Sequence, residues 1–173
     1  MLYPIGIQSF SEIRNGGYVY VDKTSLIYSL ASTGKYYFLS RPRRFGKSLL
    51  VSTMEAYFRG RKDLFKGLAM EELETDWIEY PVLHLDLTGA AYTKVDELHS
   101  KLNSFLSAQE EIYGIRTSEK VASVRFEHVI DAAYRKTGRK VVILIDEYDK
   151  PIVDNIDDQV LMDAFRRELQ GFY

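Results

Sequence analysis

Residues 39–50 read Leu-Ser-Arg-Pro-Arg-Arg-Phe-Gly-Lys-Ser-Leu-Leu, and this stretch decides the fold. The compact apolar run at residues 36–40 predicts a strand before it, and residues 47–58 have the pattern of a helix that ends before Gly60. A strand that runs into a turn and then into a helix directs successive backbone N–H groups and a helix N-terminus toward one anion. The stretch therefore predicts a phosphate-binding loop.

The residue types of this loop suit phosphate and Mg²⁺ chemistry. Gly46 lets the main chain approach the phosphates closely, Lys47 can reach the β- and γ-phosphate oxygens, and the Ser48 hydroxyl can bind Mg²⁺. The predicted nucleotide-binding residues are Arg43, Arg44, Phe45, Gly46, Lys47, Ser48 and Leu49. Arg41 stands where the usual pattern begins with glycine, and Pro42 after it favours extended geometry, so the entry to the loop differs from the common form. A helix N-terminus with a coincidental Gly-Lys-Ser is the alternative interpretation.

An acidic pair follows a second apolar run. Residues 141–145 predict a strand covered on both faces, and Asp146 and Glu147 come directly after it. Because ligands bind at the carboxyl ends of strands in parallel α/β sheets, we expect these acids at the same rim as the loop around Lys47. Asp146 would hold Mg²⁺ through water, and Glu147 would be the general base that polarises an attacking water. Helix capping or simple solvation is the alternative for both acids.

The rest of the chain alternates strands with helices. A further strand is predicted at residues 82–87, and helices are predicted at 24–32, 95–113, 118–135 and 158–170. This alternation indicates an α/β fold with a mostly parallel sheet and helices on both sides. We expect residues 1–35 to be an N-terminal extension packed on the core, and residues 36–173 to form the main domain.

Composition excludes several other classes of protein. The chain has 173 residues, of which 46% are hydrophobic, a formal net charge of −2 and no cysteine. Disulfide scaffolds, thiolate metal sites and cysteine nucleophiles are thereby excluded, and the charge balance does not indicate a nucleic-acid partner. No apolar stretch approaches membrane-spanning length and no secretory signal is recognised, so the default expectation is a cytoplasmic protein without membrane attachment.

With these residues in view, the sequence resembles the AAA-ATPase-like family of P-loop proteins. The resemblance covers nearly the whole chain, and its distinctive pieces lie at residues 5–10, 20–24, 40–48 and 146–151. It implies that the protein binds ATP with Mg²⁺ and hydrolyses ATP. It also implies a three-layer αβα P-loop fold, in which a sensor strand lies between the strand before the Lys47 loop and the strand before Asp146. Members often carry a nuclease-like C-terminal domain. Because the sequence stops before a sensor strand, it resembles the front part of a longer protein, with strand edges open to dimeric pairing; its oligomeric state is not predicted.

The leading hypothesis is an ATPase domain that couples hydrolysis to conformational change. In it, Lys47 and Glu147 are the catalytic residues, Ser48 and Asp146 hold the metal, and Arg43 or Arg44 assists electrostatically. One alternative is a nucleotide-gated binding or scaffold module with negligible turnover. Another is a small-molecule kinase in which Glu147 or Asp149 deprotonates an acceptor hydroxyl.

Three further acids have weaker assignments. For Asp86, after the strand at 82–87, a structural cap of the next turn is favoured over a place in the metal's outer shell. For Asp149, an ion pair with Lys150 is favoured over Mg²⁺ support. Asp22 is favoured as part of an ordinary helix start, with a nucleotide-base or interdomain contact as the second choice.

Overall fold

The computed structural model describes residues 1–40, 42 and 45–173. The chain divides into two compact units, Met1–Val82 and Leu83–Tyr173. A mixed α/β class is confirmed, with helices and a small parallel sheet of two strands. The division into residues 1–35 and 36–173 stays a prediction.

The unit Met1–Val82 is built from short helices around an aromatic core. Its helices are α1 (Phe10–Asn15), α2 (Thr24–Thr33), α3 (Lys47–Phe58) and α4 (Ala69–Leu73), with a 3-10 turn at Lys62–Phe65. Phe10 and Phe65 are fully buried, and their ring centroids lie 4.9 Å apart. The backbone N–H of Phe10 donates to Ser52 Oγ at 2.9 Å and so ties α1 to α3. The core thus fixes the position of α3 within this unit.

Asp22 and Thr24 connect α2 to α4. The Asp22 carboxylate accepts hydrogen bonds from the Thr24 hydroxyl at 2.7 Å and from the Ala69 backbone N–H at 2.7 Å. Thr24 is fully buried, and its hydroxyl oxygen accepts from the Met70 N–H at 3.0 Å. These contacts satisfy the start of both helices, so the structural interpretation of Asp22 is the one that the structure supports.

The prediction of a strand at residues 36–40 is wrong for this structure. The segment has no regular secondary structure, and the side chains of Tyr36 and Phe38 are 94% and 70% exposed. A strand requires a neighbouring strand for its backbone groups, and the sheet within the described residues consists of two strands elsewhere in the chain. Local β-propensity alone therefore did not produce a strand here.

The unit Leu83–Tyr173 holds the sheet and the longer helices. Its elements are β1 (Val82–Asp86), which begins at the unit boundary, α5 (Val95–Tyr113), α6 (Ala122–Thr137), β2 (Val142–Asp146), α7 (Lys150–Val153) and α8 (Gln159–Phe172). The core combines the inward side of β1 with apolar faces of α5, α6 and α8. Strand β2 is not fully covered on both faces as predicted, because Ile143 is 41% exposed whereas Leu144 is buried.

Two helix starts differ from the sequence prediction for local reasons. Helix α6 begins at Ala122 and not near residue 118, because the Glu119 carboxylate accepts the N–H groups of Lys120 and Val121 and holds them in a turn. Helix α8 begins one residue later than predicted, with Asp158 as its N-cap accepting from the Leu161 N–H at 3.0 Å. No helix among the described residues is both long enough and apolar enough to cross a lipid bilayer.

A buried ion pair joins α5 to α6. Arg125 donates to both carboxylate oxygens of Glu110 at 2.7 and 2.8 Å, and to Asn103 Oδ1 at 2.7 Å. The side chains of Arg125 and Glu110 are only 11% and 12% exposed. The hydrogen bond from Arg125 is the main reason that the pKa of Glu110 lies below its usual value. This pair fixes the register between the two helices.

Replacing Arg125 by methionine is expected to lower the free energy of unfolding by about 3 kcal/mol, because Glu110 would remain buried without its cation. Urea unfolding followed by circular dichroism measures the change. The control is Arg135→Met, since Arg135 pairs with Asp131 at an exposed position of the same helix, where ion pairs contribute little. Equal effects of the two substitutions would contradict the prediction.

Candidate functional site

The loop before α3 turns sharply at Gly46. Gly46 is the N-cap of α3 and has a left-handed backbone, with φ of +76°. A Cβ at this position would meet no atom within 4 Å. Glycine is therefore favoured here by the backbone conformation and not by lack of space. Phe45, directly before it, is 64% exposed.

Lys47, Ser48 and Leu49 form the first turn of α3, and all three are half-buried. The first intrahelical hydrogen bond at this end runs from the Leu50 N–H to the Gly46 carbonyl, at 3.0 Å. Since the first N–H groups of a helix have no intrahelical acceptor, those of residues 47–49 are available at the helix N-terminus. This end of α3 is thus suited to an anion. Of the other predicted loop residues, Arg43 and Arg44 lie outside the described residues, as does Arg41.

Asp146 ends β2 in a buried position. It is 7% exposed, and its Oδ1 accepts the backbone N–H of Glu147 at 3.0 Å. Its own carbonyl accepts the N–H of Leu87 at 3.1 Å, which ties it to the end of β1.

Glu147 has an unusual backbone for a non-glycine residue, with φ of +50°. A left-handed conformation costs an L-residue roughly 1–2 kcal/mol, and it persists only where the surrounding structure fixes it. The Glu147 carbonyl accepts the Lys150 N–H at 3.0 Å, which closes the turn into α7. The half-buried Glu147 side chain therefore belongs to a turn of well-defined backbone geometry at the end of β2.

The favoured ion pair between Asp149 and Lys150 is not formed. Lys150 Nζ instead pairs with the Asp154 carboxylate one helical turn further on, and it lies 5.8 Å from the centroid of the Tyr92 ring. The prediction was wrong because side chains four apart in a helix face each other whereas adjacent ones do not. Asp149 is the N-cap of α7 and makes no side-chain capping bond.

Asp86 has the structural role that the sequence favoured. Its two carboxylate oxygens accept the backbone N–H and the hydroxyl of Thr88, both at 2.7 Å. Asp86 thus stabilises the turn that follows β1, beside the end of β2.

Tyr92 and Asn155 were not predicted as part of this region. Tyr92 is 1% exposed and donates its hydroxyl to the Leu87 carbonyl at 3.0 Å. Burial, followed by the nearby carboxylates of Asp86 and Asp154, raises the pKa of Tyr92 to about 12, so the hydroxyl remains a donor at neutral pH. The Asn155 amide donates to the Tyr92 carbonyl at 2.5 Å. No sequence signal marks these residues, because the contact between Asn155 and Tyr92 joins parts of the chain that are 63 residues apart.

The side chains that could hold a metal ion are few at this site. Among the described residues, no group of three or more His, Asp or Glu side chains is arranged to hold a metal ion. Mg²⁺ commonly takes only one or two protein ligands and completes its shell with phosphate oxygens and water. The hydroxyl of Ser48 and the carboxylate of Asp146 are ligand types that fit that requirement. The two residues belong to different units, so their joint use stays a prediction.

Nearly the whole chain matches a known protein family. A family model described as "Predicted AAA-ATPase" matches residues 4–173. The chain belongs to this predicted AAA-ATPase family. The resemblance inferred from the sequence is thereby confirmed at the level of the family, which supports ATP use in general terms.

One curated relative and the solved structures complete the comparison. The chain is 40% identical over 172 residues to an uncharacterized protein encoded in the vnfD 5′ region of Azotobacter chroococcum mcd 1. The match covers 98% of this chain and 33% of that relative, so this predicted AAA-ATPase chain spans about one third of the relative's length. No solved structure matches the chain.

Proposed function

We propose that this chain is the Mg-ATP-binding part of a P-loop ATPase, and that hydrolysis drives a conformational change. The observation that carries the proposal is the left-handed Gly46 leading into α3, with Lys47 and Ser48 on its first turn. This arrangement gathers free N–H groups, an ammonium and a hydroxyl at one helix end. Membership of the predicted AAA-ATPase family supports the same conclusion.

The second half of the proposed site is the end of β2. In our proposal the β1–β2 sheet is part of a larger, mostly parallel P-loop sheet in a three-layer arrangement, and Asp146 and Glu147 reach the phosphates bound at α3. The buried Asp146, beside the strained turn at Glu147, supports this assignment because strained backbone and buried carboxylates occur at functional sites.

The proposed reaction is in-line attack of water on the γ-phosphate. Lys47 and the N–H groups of residues 46–49 stabilise the developing negative charge, and Arg43 or Arg44 adds to it. Glu147 accepts the proton of the attacking water. Ser48 and Asp146 would hold Mg²⁺, which when bound neutralises charge on the β- and γ-phosphates.

A titration of the chain with ATP and GTP, with and without Mg²⁺, tests the proposal. We expect saturable ATP binding that Mg²⁺ strengthens, together with release of inorganic phosphate. Failure of the folded chain to bind either nucleotide would overturn the proposal. Binding without phosphate release would instead favour the nucleotide-gated module, and phosphate release without an acceptor would count against a small-molecule kinase.

The wider protein is also a matter of proposal. Because the chain spans one third of its curated relative, we propose that it works within a longer polypeptide. The family resemblance supports a nuclease-like domain after it, and we further propose that the protein works in the cytoplasm. Size and sequence of the native gene product would test that directly.

A further inference from the structure

The segment after β2 requires an external anchor. It passes through the left-handed Glu147 and then through α7, which has only four residues. A helix of that length has too few hydrogen bonds to be stable alone. Its few internal bonds include those from the N–H groups of Val153 to Asp149 O at 2.8 Å and of Asp154 to Lys150 O at 2.9 Å. Contacts with other parts of the chain therefore add to the local bond from the Lys150 N–H to the Glu147 carbonyl in holding this segment.

Asn155 supplies such a contact. Its Nδ2 donates to the Tyr92 carbonyl at 2.5 Å, across 63 residues of sequence, and to the Pro151 carbonyl within α7 at 2.8 Å. Both partners are carbonyl oxygens, so the amide must present its NH₂ group and not its oxygen. The Asn155 side chain thus connects α7 to the loop that follows β1.

Tyr92 carries the connection back to the strand ends. Its buried hydroxyl donates to the Leu87 carbonyl, and the Leu87 N–H donates to the Asp146 carbonyl. Three hydrogen bonds thus link Asp146 to Leu87, Leu87 to Tyr92, and Tyr92 to Asn155. The chain from Asp146 through Glu147 and α7 leads back to Asn155. Every member lies within the unit Leu83–Tyr173.

We propose that Asn155, acting with Tyr92, is a positioning residue that sets the geometry of Glu147 for attack of water on the phosphate. This inference rests on the proposed function, and it adds two residues that the phosphate chemistry itself does not involve. Asn155 touches neither nucleotide nor metal in this assignment. It acts through the backbone of the turn that begins at Glu147.

The anchor is tested first without nucleotide. Asn155→Asp keeps the shape of the side chain but removes both donors and places an anion against two carbonyls. Hydrogen exchange of the amides of Val153 and Asp154 should become faster by about 10-fold, as expected for the loss of a hydrogen bond. The matched control is Asn103→Asp on α5, which keeps the oxygen that accepts from Arg125 and should leave that exchange unchanged. Unchanged exchange in Asn155→Asp would overturn the anchor.

The positioning role is tested by separating turnover from binding. We expect Asn155→Asp to lower kcat by roughly 10- to 100-fold, as displaced catalytic groups do, while the Kd for Mg-ATP stays within about 2-fold. Tyr92→Phe removes only the hydroxyl and should lower kcat in the same direction. A purely structural role would lower the melting temperature yet leave kcat unchanged well below it, and that result would overturn the inference. A wild-type chain that binds no nucleotide would contradict the proposed function instead, and the exchange experiment would still decide the anchor.

Discussion

Lys47→Ala is expected to weaken Mg-ATP binding by about 100-fold or more, which at accessible concentrations amounts to its loss. Lys47 lies in the first turn of α3 beside the left-handed Gly46. Truncating one partner of a desolvated, hydrogen-bonded charge pair costs roughly 2–5 kcal/mol, and each 1.4 kcal/mol is tenfold in affinity. Isothermal titration with ATP and Mg²⁺ measures the change.

The controls for Lys47 separate binding from folding. Alanine is a good helix former, so the substitution should leave the melting temperature close to that of the wild type. Lys66→Ala removes an exposed lysine of the same unit and should bind Mg-ATP normally. If the Lys47→Ala chain binds ATP as the wild type does, the phosphate-binding assignment of the loop is wrong.

Glu147→Gln is expected to retain Mg-ATP binding and to slow phosphate release by roughly 100- to 10,000-fold, the usual contribution of a general base. Glutamine has nearly the same shape and can adopt the same backbone, but its amide cannot accept the proton of the attacking water. Single-turnover hydrolysis with excess protein isolates this step from product release.

A matched control is available on α5. Glu111→Gln makes the same chemical change at an exposed position of the same unit and should leave turnover unchanged. Wild-type turnover in Glu147→Gln would remove Glu147 from the mechanism. Loss of nucleotide binding in Glu147→Gln would show that the Glu147 carboxylate contributes to nucleotide affinity and not to the chemical step.

The long helices could be predicted from the sequence because their signals are local. The bounds of α3 and α5 agree with the prediction. The apolar spacing marks each helix, and a glycine within two residues of its last residue marks its end. Asp86 as a turn residue could also be predicted, because an aspartate two residues before a threonine favours a local hydrogen bond.

The remaining features depend on contacts that sequence spacing does not encode. Residues 36–40 have the composition of a strand, but a strand forms only where a partner strand is present. Lys150 has Asp149 directly before it and Asp154 four residues after it. Only the helical turn of α7 brings Asp154, and not Asp149, against the lysine. The bond from Asn155 to Tyr92 spans 63 residues and requires the tertiary fold to exist. The turn at Asp86 could therefore be predicted from the sequence, whereas the hydrogen bonds that support the segment after β2 could not.

The exposed segment at residues 36–40 has a consequence for how the protein behaves in concentrated solution. Tyr36, Tyr37, Phe38 and Leu39 form an uncharged run without proline, and each is at least 41% exposed. Runs of this kind promote intermolecular β-aggregation, and flanking charges oppose it. Lys35 before the run and Arg41 after Ser40 are such flanking charges in the sequence, so their neutralisation is expected to reduce solubility.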